Sequence, residues 1–220
     1  MGIKIEVWGD YALFTRPEMK VERVSYDVMT PSAARGIIEA VYWHPGMRWI
    51  IDSIQVCNPI KFTNIRRNEV KATISARNVK KVMESNKGQL YINTSEEIQQ
   101  RASMVLQDVR YIISAHFEMT DSATPTDNPG KFQDIIRRRL EKGQFFYQPY
   151  LGCREFPAYY KKNIKNVECP SDLKGEIDFG YMLYDMDYSD IEDIKPMFFR
   201  CIMKDGVINI PKIESEEVIM

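Results

Sequence analysis

Two successive stretches of strand-helix-strand patterning, followed by a tail of short alternating strands, predict an α+β fold. The expected arrangement is a ferredoxin-like (RRM-like) N-terminal domain over residues 1–150, with an insertion at about 63–97, and a β-rich antiparallel C-terminal domain over 151–220. At 220 residues and 44% apolar, the chain can bury a core of that size.

The first strand is "IKIEVWG" (3–9), whose inward and outward positions alternate as in a half-buried strand. The polar stretch at 10–30 is dense in Arg, Lys and Tyr, and its length reads as a functional loop. Thr30 or Ser32 with Pro31 starts a helix, and Pro45-Gly46 stops it. Ala34, Ile37, Ile38 and Val41 fall on one arc of that helix, and Arg35, Glu39 and Tyr42 on another. "MRWIIDSIQVCNPIKF" (47–62) is strand-like, and "ARNVKKVMESN" in the polar excursion after it reads as a short helix or arm. "RASMVLQDVRYIISAHFEM" (101–119) is a pair of strands or one long bent one. A loop at 121–130 leads into a helix over 127–143, punctuated by Asn128, Pro129 and Gly143. "QFFYQPYLG" returns as a strand, and the two β-α-β units would leave one sheet face open, the face that RNA-recognition modules use. Beyond residue 151 come "EIDFGYMLYDMDY", "KPMFFRCIM" and "VINI", with Lys204-Asp205-Gly206 as a hairpin turn.

The net charge of −1 hides an asymmetry: residues 185–220 carry nine acids against four bases. The bases upstream cluster as "RRNEVK" (66–71), "RRRLEK" (137–142) and "KKNIK" (161–165). Together they make phosphate contact a candidate role, with Arg23, Arg66, Arg67, Lys71, Arg137 and Arg138 the residues for it. "YLGCREFPAYY" sets aromatics beside bases, the composition of a stacking surface. Cys57, Cys153, Cys169 and Cys201 are scattered with no CxxC pair, so they read as buried thiols rather than a zinc site or disulfide framework. Asp185, Asp187, Asp190 and Asp193 lack the Gly and terminal Glu of a calcium loop and read as a solvated segment. No metal or cofactor is implied. No apolar run is long enough for a membrane span and the N-terminus lacks a secretory pattern, so a cytoplasmic protein is expected.

"TPSAARGIIEAVYWHPGMRWIIDSIQV", "NPIKFTNIRRNEV", "QRASMVLQDVRYIISAHFEM" and "DNPGKFQDIIRRRLEKGQFFYQPYLGCREFPAYY" together resemble the Cas five-d family of CRISPR-associated proteins, subtype I-C, within the RAMP superfamily, across essentially the whole chain. The resemblance implies a ferredoxin-like domain with a β-rich C-terminal domain. It also implies metal-independent cleavage of CRISPR precursor RNA at the base of a repeat hairpin, after which the protein stays with the crRNA as a subunit of the type I-C Cascade. The family's site pairs a tyrosine on the first helix with a lysine and a histidine near the end of a central strand. These map onto Tyr42 and His116, while the lysine is unmatched, the adjoining positions being Ser114 and Ala115.

Metal-free RNA cleavage uses the neighbouring 2′-OH as nucleophile, so a site must take that proton, neutralise the phosphorane and protonate the 5′-oxygen. Only two histidines exist. An imidazole exchanges protons near neutrality and a phenol does not, which gives His116 the proton transfer and Tyr42 the orientation of the 2′-OH or phosphate. His44 is the competitor, with a helix-terminus role as its alternative. Ser114, on one strand face with His116, can position a phosphate oxygen, and Arg35 is the candidate replacement for the lysine's charge. Two other functions stay open: a non-catalytic crRNA-binding subunit, and a module that binds duplex DNA.

Overall fold

The computed structural model describes residues 2–19, 21–162 and 167–219, so part of the basic run at 161–165 (Asn163, Ile164 and Lys165) lies outside the described residues. In chain order the elements are β1 (Gly2–Ala12), β2 (Arg23–Val24), α1 (Pro31–Val41), β3 (Met47–Val56), β4 (Phe62–Val70), α2 (Ala76–Ser85), β5 (Ile98–Met119), α3 (Pro129–Lys142), β6 (Tyr159–Lys162), β7 (Glu176–Asp187), β8 (Lys195–Lys204), β9 (Val207–Asn209) and β10 (Val218–Ile219). The result is a mixed α/β fold around one large, mostly antiparallel sheet of order β10-β8-β9-β3-β5-β1-β6, with β2 and β4 on β5 and β7 on β8.

β5 is a single strand of 22 residues, which resolves the choice left open for 101–119. It spans about 70 Å at roughly 3.3 Å per residue and serves two neighbourhoods. Residues 111–119 pair with β3, and residues 98–106 pair with β4. The change of partner falls at Asp108, whose φ of 52° is tolerated because an Asp side chain can bond locally; its carbonyl accepts from Asn58 at 2.8 Å. The stretch 47–62 is therefore broken at Asn58-Pro59 into two strands, and the insertion expected at 63–97 is an arm: β4, α2 and the first half of β5.

Helix α1 begins where expected, with the Thr30 hydroxyl accepting from the Ala33 amide at 3.2 Å and Pro31 in the first turn. It ends three residues before Pro45. Tyr42 is already extended, with φ −153° and ψ 121°, and its carbonyl accepts from the Trp49 indole at 2.9 Å. Ala34, Ile37, Ile38 and Val41 from α1 and Phe132, Ile136 and Leu140 from α3 are buried on the face of the sheet that carries Ile5, Val7, Ile113, Ala115 and Phe117. These two helices and the alternation of the central strands make the core.

Three expectations are corrected. The stretch 10–30 is not an open loop: β1 runs to Ala12, and the chain doubles back through a Thr15–Ser25 bridge, with buried Leu13, Phe14, Tyr26, Val28 and Met29 holding it down. "QFFYQPYLG" is not a strand. The Phe146 amide goes to the Ala40 carbonyl at 2.8 Å and Leu151 closes a tight loop with Phe156, so the returning strand is β6, several residues later. The strands after 151 do not form their own sheet, because β9 pairs with Ser53–Gln55 of β3 and continues the ladder. The turn at Asp205-Gly206 is as expected, both residues having positive φ as a two-residue hairpin loop requires. Among the described residues no helix is long and apolar enough to cross a membrane.

The loop closed by Leu151 depends on Gly152, at φ 83°, where a Cβ would lie 2.0 Å from the Leu13 carbonyl oxygen. Gly152→Ala is expected to lower the unfolding free energy by about 2–3 kcal/mol in urea titration. Gly36→Ala, in α1 with nothing within 4 Å of the new methyl, should raise it by about 0.5–1 kcal/mol.

Candidate functional site

Along the last turn of β5 the core takes Ile113, Ala115 and Phe117, so Ser114, His116 and Glu118 project from the opposite face. Further up the sheet that face is closed: Ile112 is buried, and the partner residue Gln55 donates to the Val167 carbonyl at 2.9 Å. What stays accessible is the end that carries Ser114 and His116. His116 holds its Nδ1 2.7 Å from Asp52 Oδ1, and its Nε2 lies 3.8 Å from Glu118. Asp52 reaches it because the β3–β5 register shifts between Ile51 and Ser53, leaving Asp52 as the extra residue of a bulge. The carboxylate thus fixes the ring and leaves Nε2 as the nitrogen free for chemistry. Lys4 stands directly across from Ser114 in the β1–β5 ladder, and directly opposed residues hold their Cβ atoms about 4.5–5.5 Å apart on one face.

His116 also lines a cavity of about 190 Å³ that wraps around the unpaired edge of β3. Its walls include Arg35, Arg48, Tyr184, Asp185, Lys212 and Glu118. Arg35 and His116 therefore share a cavity, but Arg35 is not a free cation there. Its two terminal nitrogens bond both Asp185 oxygens, at 2.7 and 2.9 Å, and its Nε lies 3.7 Å from Glu39. Asp185 belongs to β7 and is nearly buried, so the acidic segment's first member is a structural partner rather than a solvated charge. Among the described residues Arg48 and Lys212 have no carboxylate within 4 Å.

Tyr42 lies elsewhere. Because α1 stops at Val41, Tyr42 leaves the helical stripe of Arg35 and turns into the helix side of the sheet, against Phe132 and under the Arg139 guanidinium, 5.1 Å from its ring. It is 6% exposed, and burial raises its phenol above the usual value despite nearby Lys131 and Arg139. At neutral pH it is a hydrogen-bond donor, not a base. His44 accepts from the Gly46 amide at Nδ1 (3.1 Å) and lies against Phe132, which shapes the turn after α1. The sheet thus separates Tyr42 and His44 from Ser114 and His116, with Asp52 and Lys4 the site residues that sequence reading missed. Strand register decides both, and no spacing in the chain encodes it.

The basic candidates are mostly neutralised. Arg23 pairs with Glu69 (3.3 Å), Lys71 with Glu97 (3.6 Å) and Arg137 with Asp134 (2.8 Å). Arg66 and Arg67 are mid-strand in β4 and face opposite ways. Arg67 bonds Glu155 and Ser103, joining the arm to the loop before β6, while Arg66 is exposed. Among the described residues Arg66 and Arg138 lack an acidic partner. All four cysteines are free thiols, with burial pushing Cys57 up to about 11 and Cys201 up to about 12. No three His, Cys, Asp or Glu side chains gather as a metal site among the described residues.

Comparisons with known proteins bear on the family and on the fold. A family profile described as CRISPR-associated protein (Cas_Cas5), of the Cas5d type, matches residues 2–211. The chain belongs to that family. A relative from Mannheimia succiniciproducens, named CRISPR pre-crRNA endoribonuclease Cas5d, is 47% identical over 98% of this chain and 97% of its own. One of the same name from Thermus thermophilus is 35% identical over 98% of this chain and 94% of its own. Among solved structures, a CRISPR-associated protein superposes with a TM-score of 0.70 at 24% identity, over 100% of this chain and 97% of that one. A functionally uncharacterized protein from Streptococcus mutans superposes at 0.69, with the same identity and coverage. These last two establish the fold.

The Arg35–Asp185 pair ties α1 to β7 and forms one wall of the cavity. Arg35→Met or Asp185→Leu alone should cost about 3 kcal/mol, the lower end for breaking a buried pair because Arg35 keeps some exposure. The double variant should recover most of that loss, measured by urea titration of all four proteins.

Proposed function

We propose that this protein is an endoribonuclease that cleaves CRISPR repeat RNA at the base of a hairpin, without a metal, to mature crRNA. The observation that carries this reading is His116, held by Asp52 at 2.7 Å on an accessible sheet end with Lys4 and Ser114 beside it. Two curated relatives that carry the nuclease name over nearly their full lengths support it.

In this mechanism the RNA's 2′-oxygen attacks the adjacent phosphorus and the 5′-oxygen leaves. His116 Nε2 moves the proton, and Asp52 keeps the ring oriented and stabilises the imidazolium that forms. Lys4 supplies the charge that Ser114 cannot, Ser114 holds a phosphate oxygen, and Arg48 and Lys212 extend the positive lining. Arg35 acts through Asp185, as the wall of the cavity. Tyr42, protonated, donates to RNA that passes the end of the sheet. Arg23, Arg66, Arg67, Lys71, Arg137 and Arg138 line its wider path, with Arg66 and Arg138 making the phosphate contacts and the others holding the surface in shape.

The strand order β3-β5-β1-β6, antiparallel throughout with α1 and α3 on one face, supports a ferredoxin-like domain whose fourth strand, β6, lies beyond the boundary at residue 150 expected from the sequence, so that this domain runs through residue 162 and a β-rich extension follows it. Membership of a type I-C Cascade and a cytoplasmic location follow from the same reading.

His116→Ala should slow cleavage of a labelled repeat hairpin in EDTA by roughly 10²–10⁴, with hairpin affinity within a few-fold. Lys4→Ala should slow it at least tenfold, and Ser114→Lys in that background should restore part of the rate. Retention of the hairpin by wild type with no discrete 5′-OH product would replace this reading with a crRNA-binding subunit. Full activity of His116→Ala would move the proton transfer to His44.

Salt dependence separates the two arginines of β4. Arg66→Ala should reduce the slope of log affinity against log salt by about 0.7–0.9, one phosphate contact. Arg67→Ala should leave the slope nearly unchanged and instead lower stability, because it loses Glu155 and Ser103.

A further inference from the structure

Where α1 ends, the chain exposes Trp43 at 58%, and the loop after α3 exposes Phe146 at 81% and Tyr147 at 45%. Large rings at that exposure lose hydrophobic stabilisation, so three lining one hollow need a reason. The hollow has a volume of about 600 Å³ and is lined by these three with Glu39, His44, Pro45 and Arg139. A ligand pocket of ordinary size holds about 300–1,000 Å³.

The rings stand on fixed backbone. The Phe146 and Tyr147 amides both donate to the Ala40 carbonyl, at 2.8 and 3.4 Å, and the Gln144 amide donates to the Arg139 carbonyl at 2.9 Å. Phe146 and Tyr147 meet edge to face, with centroids 6.0 Å apart and planes at 75°, which leaves a ring face open. Among the described residues Trp43 stacks on no other ring. Arg139 is held by the Val41 carbonyl at 2.5 Å with its guanidinium over Tyr42, and Arg138, exposed and without an acidic partner among the described residues, precedes it on α3.

We infer that this hollow takes an unpaired nucleobase of the RNA, stacked between Trp43 and Phe146, with its phosphate toward Arg138. Open ring faces beside arginine are what single-stranded nucleic acid stacks on, and the proposed activity brings such a strand to this surface. The inference rests on the chain acting on repeat RNA, and it adds a subsite for the single-stranded flank of the hairpin, on the opposite side of the sheet from His116.

The test is binding of a fully 2′-O-methylated repeat hairpin, which has no nucleophile and so reports affinity alone. It is measured with its unpaired flanks and again trimmed flush to the stem. Wild type should bind the flanked form more tightly, since one stacked base is worth about 5- to 150-fold. Trp43→Ala and Phe146→Ala should each remove most of that preference, Trp43→Phe should keep it, and binding of the trimmed hairpin and the urea midpoint should stay unchanged. Variants that discriminate as wild type does overturn the subsite, as does equal weakening on both hairpins. Loss of self-association with RNA binding intact would make the hollow a contact between copies of the chain. If the unmodified hairpin is not cleaved while the flank preference behaves as stated, the nuclease reading fails and the base site stands.

Discussion

A strand of 22 residues must satisfy its backbone groups along its whole length, and β5 does so by taking four partners: β1, β2, β3 and β4. That requirement organises the protein. Near its C-terminal end β5 is the central strand of the sheet, and its alternation sends Ala115 and Phe117 under the helices and Ser114 and His116 to the other side. Near its N-terminal end it extends with β4 as an arm of the same sheet, where α2 has no buried residue among those described. A slip of one residue in the β5 register would bury His116 and expose Phe117. The site exists because the hydrophobic pattern forbids that slip.

The second constraint is electrostatic. The pairing of Arg35 with Asp185 joins residues 150 positions apart and seats β7 against α1. It consumes a cation that the sequence offers to phosphate and an acid that it offers to solvent. Much the same holds for Arg67 and Glu155 on the arm. A chain with a net charge of −1 still leaves cations without an acidic partner: among the described residues Lys4, Arg48, Arg66, Arg138 and Lys212 lie outside such pairing.

How legible the fold and site were follows from the range over which each signal acts. The two helices and the turn at Asp205-Gly206 are set by neighbours within a few residues, and their caps were readable. The path of 10–30 is set by the apolar Leu13-Phe14, with Tyr26, Val28 and Met29, which lie among charges that by themselves read as a loop. Helix α1 also ends before its proline: Tyr42 is extended, its carbonyl accepting from the Trp49 indole, and so it leaves the stripe of Arg35. His116 is a candidate from the sequence because only two histidines exist, but Asp52 and Lys4 become its neighbours only through a bulge and a cross-strand register.

The separation of Tyr42 from His116 then has a physical consequence for how RNA would use the surface. Helix α1 delivers Tyr42, Trp43 and His44 to the helix side, and β5 delivers Ser114 and His116 to the other, so no single pocket can hold all of them. The two sides meet only beyond Gly46 and Met119, where the Thr120 amide bonds the Gly46 carbonyl at 3.1 Å and the sheet ends. A duplex is too stiff to follow that edge, whereas a hairpin whose stem gives way to single strand at its base can place the stem on one side and its flank on the other. On the proposed reading the junction of stem and flank suits this edge better than either part alone, because its recognition needs chemistry on both faces of an edge rather than a deep cleft.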